Sequence, residues 1–409
     1  MSKSHGDLPR SGLLASELAD VFAKLGAAAG ELDRTRELCE RVDPYADFAG
    51  TDGLFASAMR EIVEWHARRN PFYAEWMKRS GFSPDRILSA ADCAAIPSVM
   101  ASFFKSHESI SVPREKISLT LTSSGTTGQK SQVLFDDWSI GAPQAMVDRI
   151  FARNGWVTPG VSTNYLLYTY ETEPDSKLGT AFTDHYLCKF APVASVYPAL
   201  RRTGTGGHDF DVFGCIERLL QFAREGKPVR IFGFPAFLHF TVQRMIDLDM
   251  PPIELHPDSL VFLGGGWKGH AGKAIAKADL YANVNRQLGI PDARLRDGFG
   301  SVEHCVPYIE CGNHEFHVPV YSRVFARDVK TLEVLPEGRR GFLHFVSPYI
   351  TSMPAHSVLM GDLASVHPAK ECGCDVPTPF FRVHGRAGTS KNKSCAIAAS
   401  ELLSREGRA

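Results

Sequence analysis

The sequence predicts an α/β fold in which helices flank a sheet, followed by a β-rich subdomain. From Ile117 onward, short apolar runs rich in β-forming residues alternate with longer segments of helical periodicity. After Tyr308 the pattern changes to short strands with many prolines and histidines, which indicates a smaller β-rich unit packed on the sheet. The 409 residues, 44% of them hydrophobic, suffice for one large domain or two ordinary ones.

The N-terminal part of the chain is predicted to be helical. Apolar residues at helical spacing predict a first helix through Leu14, Leu18, Val21, Phe22 and Leu25. A second helix is predicted from about Asp52 to Arg69, and Pro71 is expected to end it.

The remaining elements divide the chain into parts. Strands are predicted at 117–121, 165–168, 229–232, 260–263 and 341–346, with helices at 213–225 and 235–248. The expected parts are a mainly helical region (1–115), an α/β core (116–307), a β-rich subdomain (308–385) and a short tail (386–409).

Composition excludes several classes of protein. The net charge of -1 and the pI of about 6.9 give no basic surface for nucleic acid. Glu17, Asp20 and Lys24 interrupt any signal-peptide core, and no apolar run is long enough to span a bilayer, so a cytoplasmic protein is expected. Nine irregularly spaced cysteines do not indicate a disulfide framework; in a reducing compartment they are buried hydrophobes, metal ligands or nucleophiles.

A loop rich in glycine and hydroxyl side chains follows the first predicted strand. Its candidate phosphate-binding residues are Thr122, Ser123, Ser124, Gly125, Thr126, Thr127, Gly128 and Lys130. Glycines let backbone N–H groups approach a ligand, and hydroxyls and a lysine add donors for phosphate oxygens. The Walker A spacing is absent, because no glycine directly precedes Lys130. The alternative interpretation is an ordinary polar loop between two strands.

Three further segments are candidates for nucleotide binding. Gly264, Gly265 and Gly266 follow an apolar strand, where bare backbone could lie against a flat ligand or simply form a tight turn. The segment 297–303 supplies the aromatic ring of Phe299, then Gly300, Ser301 and Glu303, whose carboxylate is a natural Mg2+ ligand beside a triphosphate. Asp362 is expected in a turn after the 341–346 strand, where it could bind ribose hydroxyls or serve only the turn.

The order of these motifs resembles the adenylate-forming enzymes, which join acyl-CoA synthetases, adenylation domains and luciferases. The resemblance runs from the loop at 122–131 through the glycine run, Phe299 to Glu303 and Asp362, to Gly385-Arg386. The details are most similar to the acyl-protein synthetase (LuxE-like) branch, the fatty-acid-activating subunit of bacterial luminescence. Upstream segments that fit this branch are Asp43-Pro-Tyr45, Trp65-His66, Phe72-Tyr73 and Phe103-Phe-Lys105.

The resemblance implies roles for individual residues, with ATP and Mg2+ as cofactors. The loop from Thr122 to Lys130 would hold the β- and γ-phosphates, and the glycines 264–266 would lie along the adenine. Phe299 would stack on the adenine, Glu303 would bind Mg2+, Asp362 the ribose hydroxyls, and Arg386 the ribose or phosphate. Val302 stands where many relatives have a phosphate-contacting threonine, so that contact is expected from Ser301, the loop or His304.

The tail departs from the wider superfamily, which usually continues into a mobile lid domain. Only 23 residues follow Arg386, so that domain is expected to be largely missing. The resemblance implies that a cysteine near the C-terminus accepts the acyl group, and Cys395 is the candidate. Ser394 could cap a short helix there, and Lys391 and Lys393 would favour the thiolate. The alternative interpretation is that Cys395 serves only as a small apolar residue that packs a terminal helix.

Two other groups of residues have candidate roles. Cys311, His317, Cys372 and Cys374 could form a tetrahedral zinc site between two β segments, with His314 and Cys305 as spare ligands; the alternative is reduced cysteines in turns. Phe234, Phe237 and His239 precede the glycine run, in the region that lines the acyl pocket in this superfamily, although a core aromatic cluster explains them equally well.

Three functions are considered. The first is an acyl-protein synthetase that adenylates a carboxylic acid, with a fatty acid favoured over an aromatic one, and passes the acyl group through Cys395 to a partner such as an acyl reductase. The second is a ligase that hands its adenylate to CoA, an amine or a carrier protein. The third is an inactive nucleotide-binding subunit, against which the intact lysine and carboxylate motifs argue.

Overall fold

The computed structural model describes residues 15–122, 132–171, 186–204 and 207–387. Among these residues the chain forms two compact units. One contains the described residues of 151–300, and the other contains 15–122, 132–150 and 301–387.

The helices and strands are named in chain order. The α-helices are α1 (Ala15–Ala23), α2 (Asp33–Cys39), α3 (Asp52–Arg69), α4 (Pro71–Ser80), α5 (Asp137–Arg153), α6 (Val212–Glu225), α7 (Pro235–Asp247) and α8 (Lys277–Leu288). The strands are β1 (Val99–Met100), β2 (Ile117–Thr122), β3 (Gln132–Asp136), β4 (Thr163–Tyr170), β5 (Val193–Arg202), β6 (His208–Phe210), β7 (Val229–Gly233), β8 (Leu260–Gly264), β9 (Leu295–Phe299), β10 (Tyr308–Ile309), β11 (Phe316–His317), β12 (Arg323–Arg327), β13 (Gly341–Val346), β14 (Ser357–His367) and β15 (Phe380–Arg386).

The unit formed by 151–300 is built on a parallel sheet. Its strands follow the order β9, β8, β7, β4, β5 and β6, and only β6 runs antiparallel to its neighbour. Every residue of β7 is buried, as expected of a central strand with both faces covered. Helices α6, α7 and α8 contribute their apolar faces to the same core cluster as β4, β7 and β8. Because the strands are parallel, Gly233, Gly264 and Phe299 end their strands at the same edge.

The other unit combines helices with two sheets. Its larger sheet has the order β11, β15, β14, β13 and β12, with β1 pairing parallel to β14, and β2 and β3 form a separate antiparallel pair. Helix α3 buries Phe55, Met59 and Ile62 on one face, and the indole of its Trp65 donates to the carbonyl of Thr351 at 3.0 Å. These contacts attach the helix to the segment that precedes β14.

Most elements lie where the sequence predicts them, with some exceptions. Helix α3 has the predicted bounds, and strands occur at each predicted range. Pro71 does more than end α3: it is the first residue of α4, and the Asn70 side chain caps that helix by accepting from the Tyr73 N–H. The predicted turn around Asp362 is wrong, because this residue lies inside the long strand β14. No helix of the described chain is long and apolar enough to cross a membrane.

Several imidazoles are buried in this mixed helical and β unit. His66 lies against the Ser111 hydroxyl (2.7 Å) and the Ile350 carbonyl (3.0 Å), and it stacks on His356 at 5.0 Å between ring centroids. The His356 ring in turn contacts the Tyr73 hydroxyl at 2.7 Å. Burial lowers the pKa of His66 to about 3 and that of His304 to about 3, and it lowers the pKa of His356 well below its ordinary value.

Acid should therefore destabilise the folded chain below about pH 6.5. The folded pKa values lie below the unfolded value of 6.5, so the unfolded chain binds more protons between about pH 3 and 6.5. The contribution of these neutral imidazoles to the free energy of unfolding is complete above pH 6.5. Below that pH the free energy of unfolding falls by about 1.4 kcal/mol per buried histidine for each pH unit. Urea unfolding at pH 7.5 and 5.5 measures this loss. The exposed His107 provides a control, since His107→Gln should leave the slope unchanged. Equal free energies of unfolding at the two pH values would contradict the expectation.

Candidate nucleotide site and cysteine–histidine cluster

The glycine run 264–266 leaves β8 at the carboxyl edge of the parallel sheet. Gly265 and Gly266 have φ values of +74° and +66°, a conformation that L side chains rarely adopt. Among the described residues, nothing lies within 4 Å of a Cβ atom placed at Gly266, so this position is open. Phe299 ends the adjacent strand β9, and Asp297 on that strand pairs with Lys277 of α8 at 3.1 Å, an ion pair that sequence reasoning missed. An open glycine turn beside the strand that carries Phe299 is suited to a flat ligand.

The predicted acyl-pocket residues lie at the start of α7, in the same unit. Phe234 and Phe237 are both buried and belong to the hydrophobic core, where Phe237 packs 4.8 Å from Phe210. His239 faces Trp267 at 5.5 Å, and burial lowers its pKa. These contacts are those of a core aromatic cluster, and the acyl-pocket role of the three residues stays a prediction.

Residues 301–305 form a tight turn in the other unit. The Ser301 carbonyl accepts from the N–H groups of His304 (3.2 Å) and Cys305 (2.7 Å). His304 is 1% exposed, and its Nε2 contacts the Tyr308 hydroxyl at 2.8 Å while that hydroxyl donates to Ser322. Because the Tyr308 hydroxyl donates its hydrogen to Ser322, it can only accept from His304. Nε2 of His304 therefore carries the hydrogen in this arrangement. The Nδ1 of His304 is buried and has no hydrogen-bond partner among the described residues, so the phosphate contact of Ser301, the 122–131 loop or His304 stays a prediction.

Glu303 is a buried carboxylate in this turn, with 7% of its surface exposed. Its neighbour Ser301 is half-buried, and the Ser301 hydroxyl lies 3.9 Å from the Met360 sulfur. Met360 precedes Asp362 by two residues on β14. Ser301 therefore lies close to the stretch of β14 that carries the predicted ribose-binding residue.

Asp362 and Arg386 face each other on adjacent strands. They are direct cross-strand partners in the β14–β15 ladder, and Arg386 Nε lies 3.7 Å from Asp362 Oδ1. The side chain of Arg386 is 68% exposed and that of Asp362 is 15% exposed. Burial raises the pKa of Asp362, and the guanidinium of Arg386 opposes that rise. The pair offers a carboxylate acceptor and a guanidinium donor at one place.

Two sets of predicted residues lie beyond the described chain. Thr122 ends β2 and pairs with Gln132 of β3. The loop residues between them, including Ser123, Ser124, Gly125, Thr126, Thr127, Gly128 and Lys130, fall outside the described residues, as does Cys395. Their roles stay predictions.

The four cysteine and histidine residues predicted as zinc ligands come together. Cys311 precedes β11, His317 lies on β11, and Cys372 and Cys374 lie between β14 and β15. Their potential ligand atoms are all within 4.8 Å of one another, with Cys311 Sγ 3.5 Å from Cys372 Sγ and Cys374 Sγ 3.3 Å from His317 Nε2. Ligand atoms around a tetrahedral Zn2+ are roughly 3.5–3.8 Å apart. The donor set and its spacing therefore fit zinc.

Neighbouring groups orient these ligands. His317 Nδ1 lies 2.7 Å from the Thr378 carbonyl, which can only accept, so Nδ1 carries the hydrogen and the Nε2 lone pair faces the cysteines. Backbone N–H groups of Asn313 and Val376 donate to the sulfurs of Cys311 (3.3 Å) and Cys374 (3.4 Å). Burial and the neighbouring thiols raise the pKa of Cys372, an effect that a bound cation would offset.

The two spare ligands do not join this cluster. His314 Nδ1 lies 3.3 Å from a Glu310 carboxylate oxygen, and Cys305 Sγ lies 3.2 Å from the Val302 carbonyl. Sequence reasoning also missed a hydrogen-bonded series of side chains that begins at Glu371, between β14 and β15, continues through His367 and Ser365 of β14, and ends at His384 of β15. The Ser365-x-His367 alternation within one strand was its only signal.

The fold is that of adenylate-forming ligases. The chain is similar to 2-hydroxyisobutyryl-CoA ligase in the postadenylation state in complex with 2-HIB-AMP, with a TM-score of 0.62, 16% identity, and coverage of 85% of this chain and 70% of that chain. An open conformation of that ligase gives a TM-score of 0.62 at 16% identity, and the match covers 87% of this chain and 79% of that chain. At this identity the likeness establishes the fold, and it confirms the predicted fold class.

Sequence comparison places the chain within this class. The family described as "Acyl-protein synthetase, LuxE" matches residues 48–404, so the chain belongs to the LuxE acyl-protein synthetase family. It is 23% identical over 351 residues to the long-chain-fatty-acid–luciferin-component ligase of Vibrio harveyi, covering 86% of this chain and 88% of that protein. It is 24% identical over 352 residues to the Aliivibrio fischeri protein of the same name, and the match covers 84% of this chain and 87% of that protein. The resemblance seen in the motifs is confirmed, and the chain is an AMP-forming ligase that activates an acid as an acyl-adenylate and transfers the acyl group.

Proposed function

We propose that this chain activates a long-chain fatty acid with ATP and transfers the acyl group to a protein thiol. The observation that carries the proposal is the family match over residues 48–404, which includes every candidate nucleotide-binding motif and Cys395. Both curated relatives are named for long-chain fatty acids, and each alignment covers most of both chains. An acyl reductase is the proposed partner that receives the acyl group.

The nucleotide roles are proposed residue by residue. The Asp362 carboxylate accepts from the ribose hydroxyls, and Arg386, 3.7 Å away, donates to ribose or phosphate. Phe299 stacks on the adenine against the backbone of Gly264 to Gly266. Lys130 and the hydroxyls of Thr122 to Thr127 bind phosphate oxygens.

Glu303 is the proposed ligand of Mg2+, which when bound would neutralise phosphate charge. Its carboxylate suits this hard cation, and Mg2+ commonly takes one or two protein carboxylates together with phosphate oxygens. Burial of the side chain keeps bulk water from screening that charge.

The reaction divides into two steps. In the first, a carboxylate oxygen of the acid attacks the α-phosphorus of ATP, the bond to the bridging oxygen breaks, and pyrophosphate leaves. This step depends on positioning and on neutralising charge rather than on a protein nucleophile. In the second, the thiolate of Cys395 attacks the acyl carbonyl, the bond to the AMP oxygen breaks, and AMP leaves a thioester.

We also propose that Cys311, His317, Cys372 and Cys374 hold a structural zinc ion. Three sulfurs and one imidazole nitrogen make a closed tetrahedral set, with no position left for substrate. The hydrogen on Nδ1 of His317, which leaves the Nε2 lone pair for the metal, and the N–H donors to two of the sulfurs support this. Zinc here would join the β10–β11 segment to the connection between β14 and β15.

Glu303→Gln should lower acid-dependent ATP–pyrophosphate exchange by about a hundredfold or more, because a neutral amide binds the cation beside the phosphates much more weakly than a carboxylate does. The exchange is measured with a panel of fatty and aromatic acids, which also tests the proposed acid. Glu61→Gln is the control: Glu61 accepts from the Thr35 N–H (2.8 Å) and has no proposed role in exchange. Near-normal exchange in Glu303→Gln would remove this residue from the mechanism.

Purified protein that has never met a chelator should contain about one zinc per chain. Cys374→Ser should lose the metal and lower the melting temperature more than it alters acid specificity, because the ligands join separate segments. Cys93→Ala, which removes a buried thiol outside the cluster, should retain the metal. Elemental analysis that finds no metal in the wild type would refute the zinc proposal.

Incubation with ATP and the correct acid should add one acyl group that hydroxylamine removes, visible by intact mass. Cys395→Ala should abolish this adduct while leaving pyrophosphate exchange nearly unchanged, because the thiol acts after the adenylate forms. Cys215→Ala, at a cysteine buried in the core, is the matched control and should still be acylated. An acylated Cys395→Ala protein, or a wild type that is never acylated, would favour a ligase that uses another acceptor.

A further inference from the structure

The β14–β15 ladder contains a bulge next to the candidate ribose-binding residues. Ser365 pairs with Arg382 and Ala364 pairs with Val383, but Leu363 pairs with Gly385. His384 is therefore the extra residue, with no cross-strand partner of its own on β14. A bulge of this kind changes which residues of the two strands lie opposite each other beyond it.

The bulge decides where Arg386 points. In an uninterrupted register, Gly385 would lie opposite Asp362, and Arg386 would project from the opposite face, because successive side chains alternate. The extra residue instead sets Arg386 directly opposite Asp362. The 3.7 Å contact between their side chains thus depends on a one-residue irregularity.

A series of side-chain hydrogen bonds holds the extra residue. His384 Nε2 lies 2.8 Å from the Ser365 hydroxyl, and the same hydroxyl lies 2.8 Å from His367 Nε2. His367 Nδ1 lies 2.9 Å from a carboxylate oxygen of Glu371. Ser365 and His367 are buried, and the His367 ring stacks on Phe380 at 5.1 Å. Glu371, His367, Ser365 and His384 are called the bulge chain below.

The Ser365 hydroxyl bridges the two imidazoles of the bulge chain. A carboxylate can only accept, so His367 donates to Glu371 from Nδ1. Its Nε2 lies against the Ser365 hydroxyl, which lies in turn against His384 Nε2. A hydroxyl has one hydrogen to donate and two lone pairs, so it can bond both rings. Burial, together with Arg340, His367 and Arg382, lowers the pKa of His384 to about 4, so its ring is neutral at pH 7 and has one N–H.

The backbone also favours the bulge at this position. Gly385 has a φ of +124°, which only glycine adopts readily, and nothing in the described part of the chain lies within 4 Å of a Cβ atom placed there. The glycine thus permits the irregular backbone but makes no side-chain contact that would hold it. Beyond the bulge, the Ala387 N–H donates to the Gly361 carbonyl at 2.8 Å. Among the described residues, the hydrogen bond between His384 and Ser365 is the side-chain contact that joins the extra residue to β14.

We propose that the bulge chain fixes the extra residue of β15 and thereby holds Arg386 opposite Asp362 for ribose binding. Its members are positioning residues, and they act without contact to the nucleotide. The inference rests on the proposed ribose role of Asp362 and Arg386. Its test therefore measures that role and the positioning role separately.

The test compares binding of ATP and 2′,3′-dideoxy-ATP to the full chain by calorimetry. The wild type should prefer ATP, and Asp362→Ala should abolish the preference, since the carboxylate then no longer accepts from the ribose hydroxyls. Ser365→Ala, which breaks both imidazole contacts, should lower the preference by roughly fivefold to tenfold, the effect of one lost hydrogen bond. In the Asp362→Ala background, Ser365→Ala should cause no further loss of preference.

Two further variants distinguish positioning from general damage. Ser357→Ala removes another buried serine of β14 that contacts an imidazole, His344 at 2.9 Å, but lies away from the bulge. It should keep the wild-type preference for ATP. His384→Phe keeps a ring at the half-buried position without its nitrogens, and it should behave as Ser365→Ala does. It carries the test if Ser365→Ala fails to fold.

Each outcome has one meaning. An unchanged preference in Asp362→Ala, or no preference in the wild type, overturns the ribose role and the inference with it. If Asp362→Ala loses the preference while Ser365→Ala and His384→Phe keep it, only the positioning role is wrong. An equal loss in Ser357→Ala shows general destabilisation and also overturns the positioning role.

Discussion

The backbone pairing of β14 is the constraint on which the rest of its unit depends. Its first residues lie between β13 and β1, and its later residues lie between β13 and β15. A strand paired on both sides has little freedom to present a ligand-binding side chain. Asp362 lies where both ladders are irregular: three residues, Met360 to Asp362, lie opposite Leu343 of β13, and the bulge of β15 lies on the other side. Irregular pairing lets a central strand carry a polar functional residue.

The start of β14 is in turn fixed by buried polar contacts. The segment 347–356 before it is buried, where leaving a polar group unpaired costs free energy. The Thr351 hydroxyl donates to Asp136 at 2.7 Å, its carbonyl accepts from Trp65, and the Ile350 carbonyl lies against His66. These contacts are directional, so they specify one position of the segment rather than a range of packed ones. Neutral buried imidazoles are the consequence, and they make this arrangement sensitive to acid.

Local features of the sequence were predictable, and features that depend on pairing were not. Helix α3, the strands ending at Gly233 and Gly264, and the gathering of Cys311, His317, Cys372 and Cys374 follow from periodicity, glycine placement and residue type. The expected turn at Asp362 was wrong, because Gly361 suggests a turn locally while pairing with two strands keeps the chain extended. The bulge at His384 could not be predicted, since a register exists only once β14 and β15, twelve residues apart in sequence, have paired.

The cysteine–histidine cluster and the bulge act at opposite ends of β15. Strand β11 is two residues long and pairs with β15 at Phe380 and Phe381, so its few backbone hydrogen bonds alone hold it weakly. The cluster adds contacts at that end, where His317 and the Cys372–Cys374 segment meet. A register set there extends along β15 as far as Val383 but not past an inserted residue, because a bulge separates the pairing on its two sides. The position of Arg386 therefore needs local contacts of its own, and the hydrogen bond between His384 and Ser365 lies at the residue of β15 that has no partner in the register between Phe380 and Arg386.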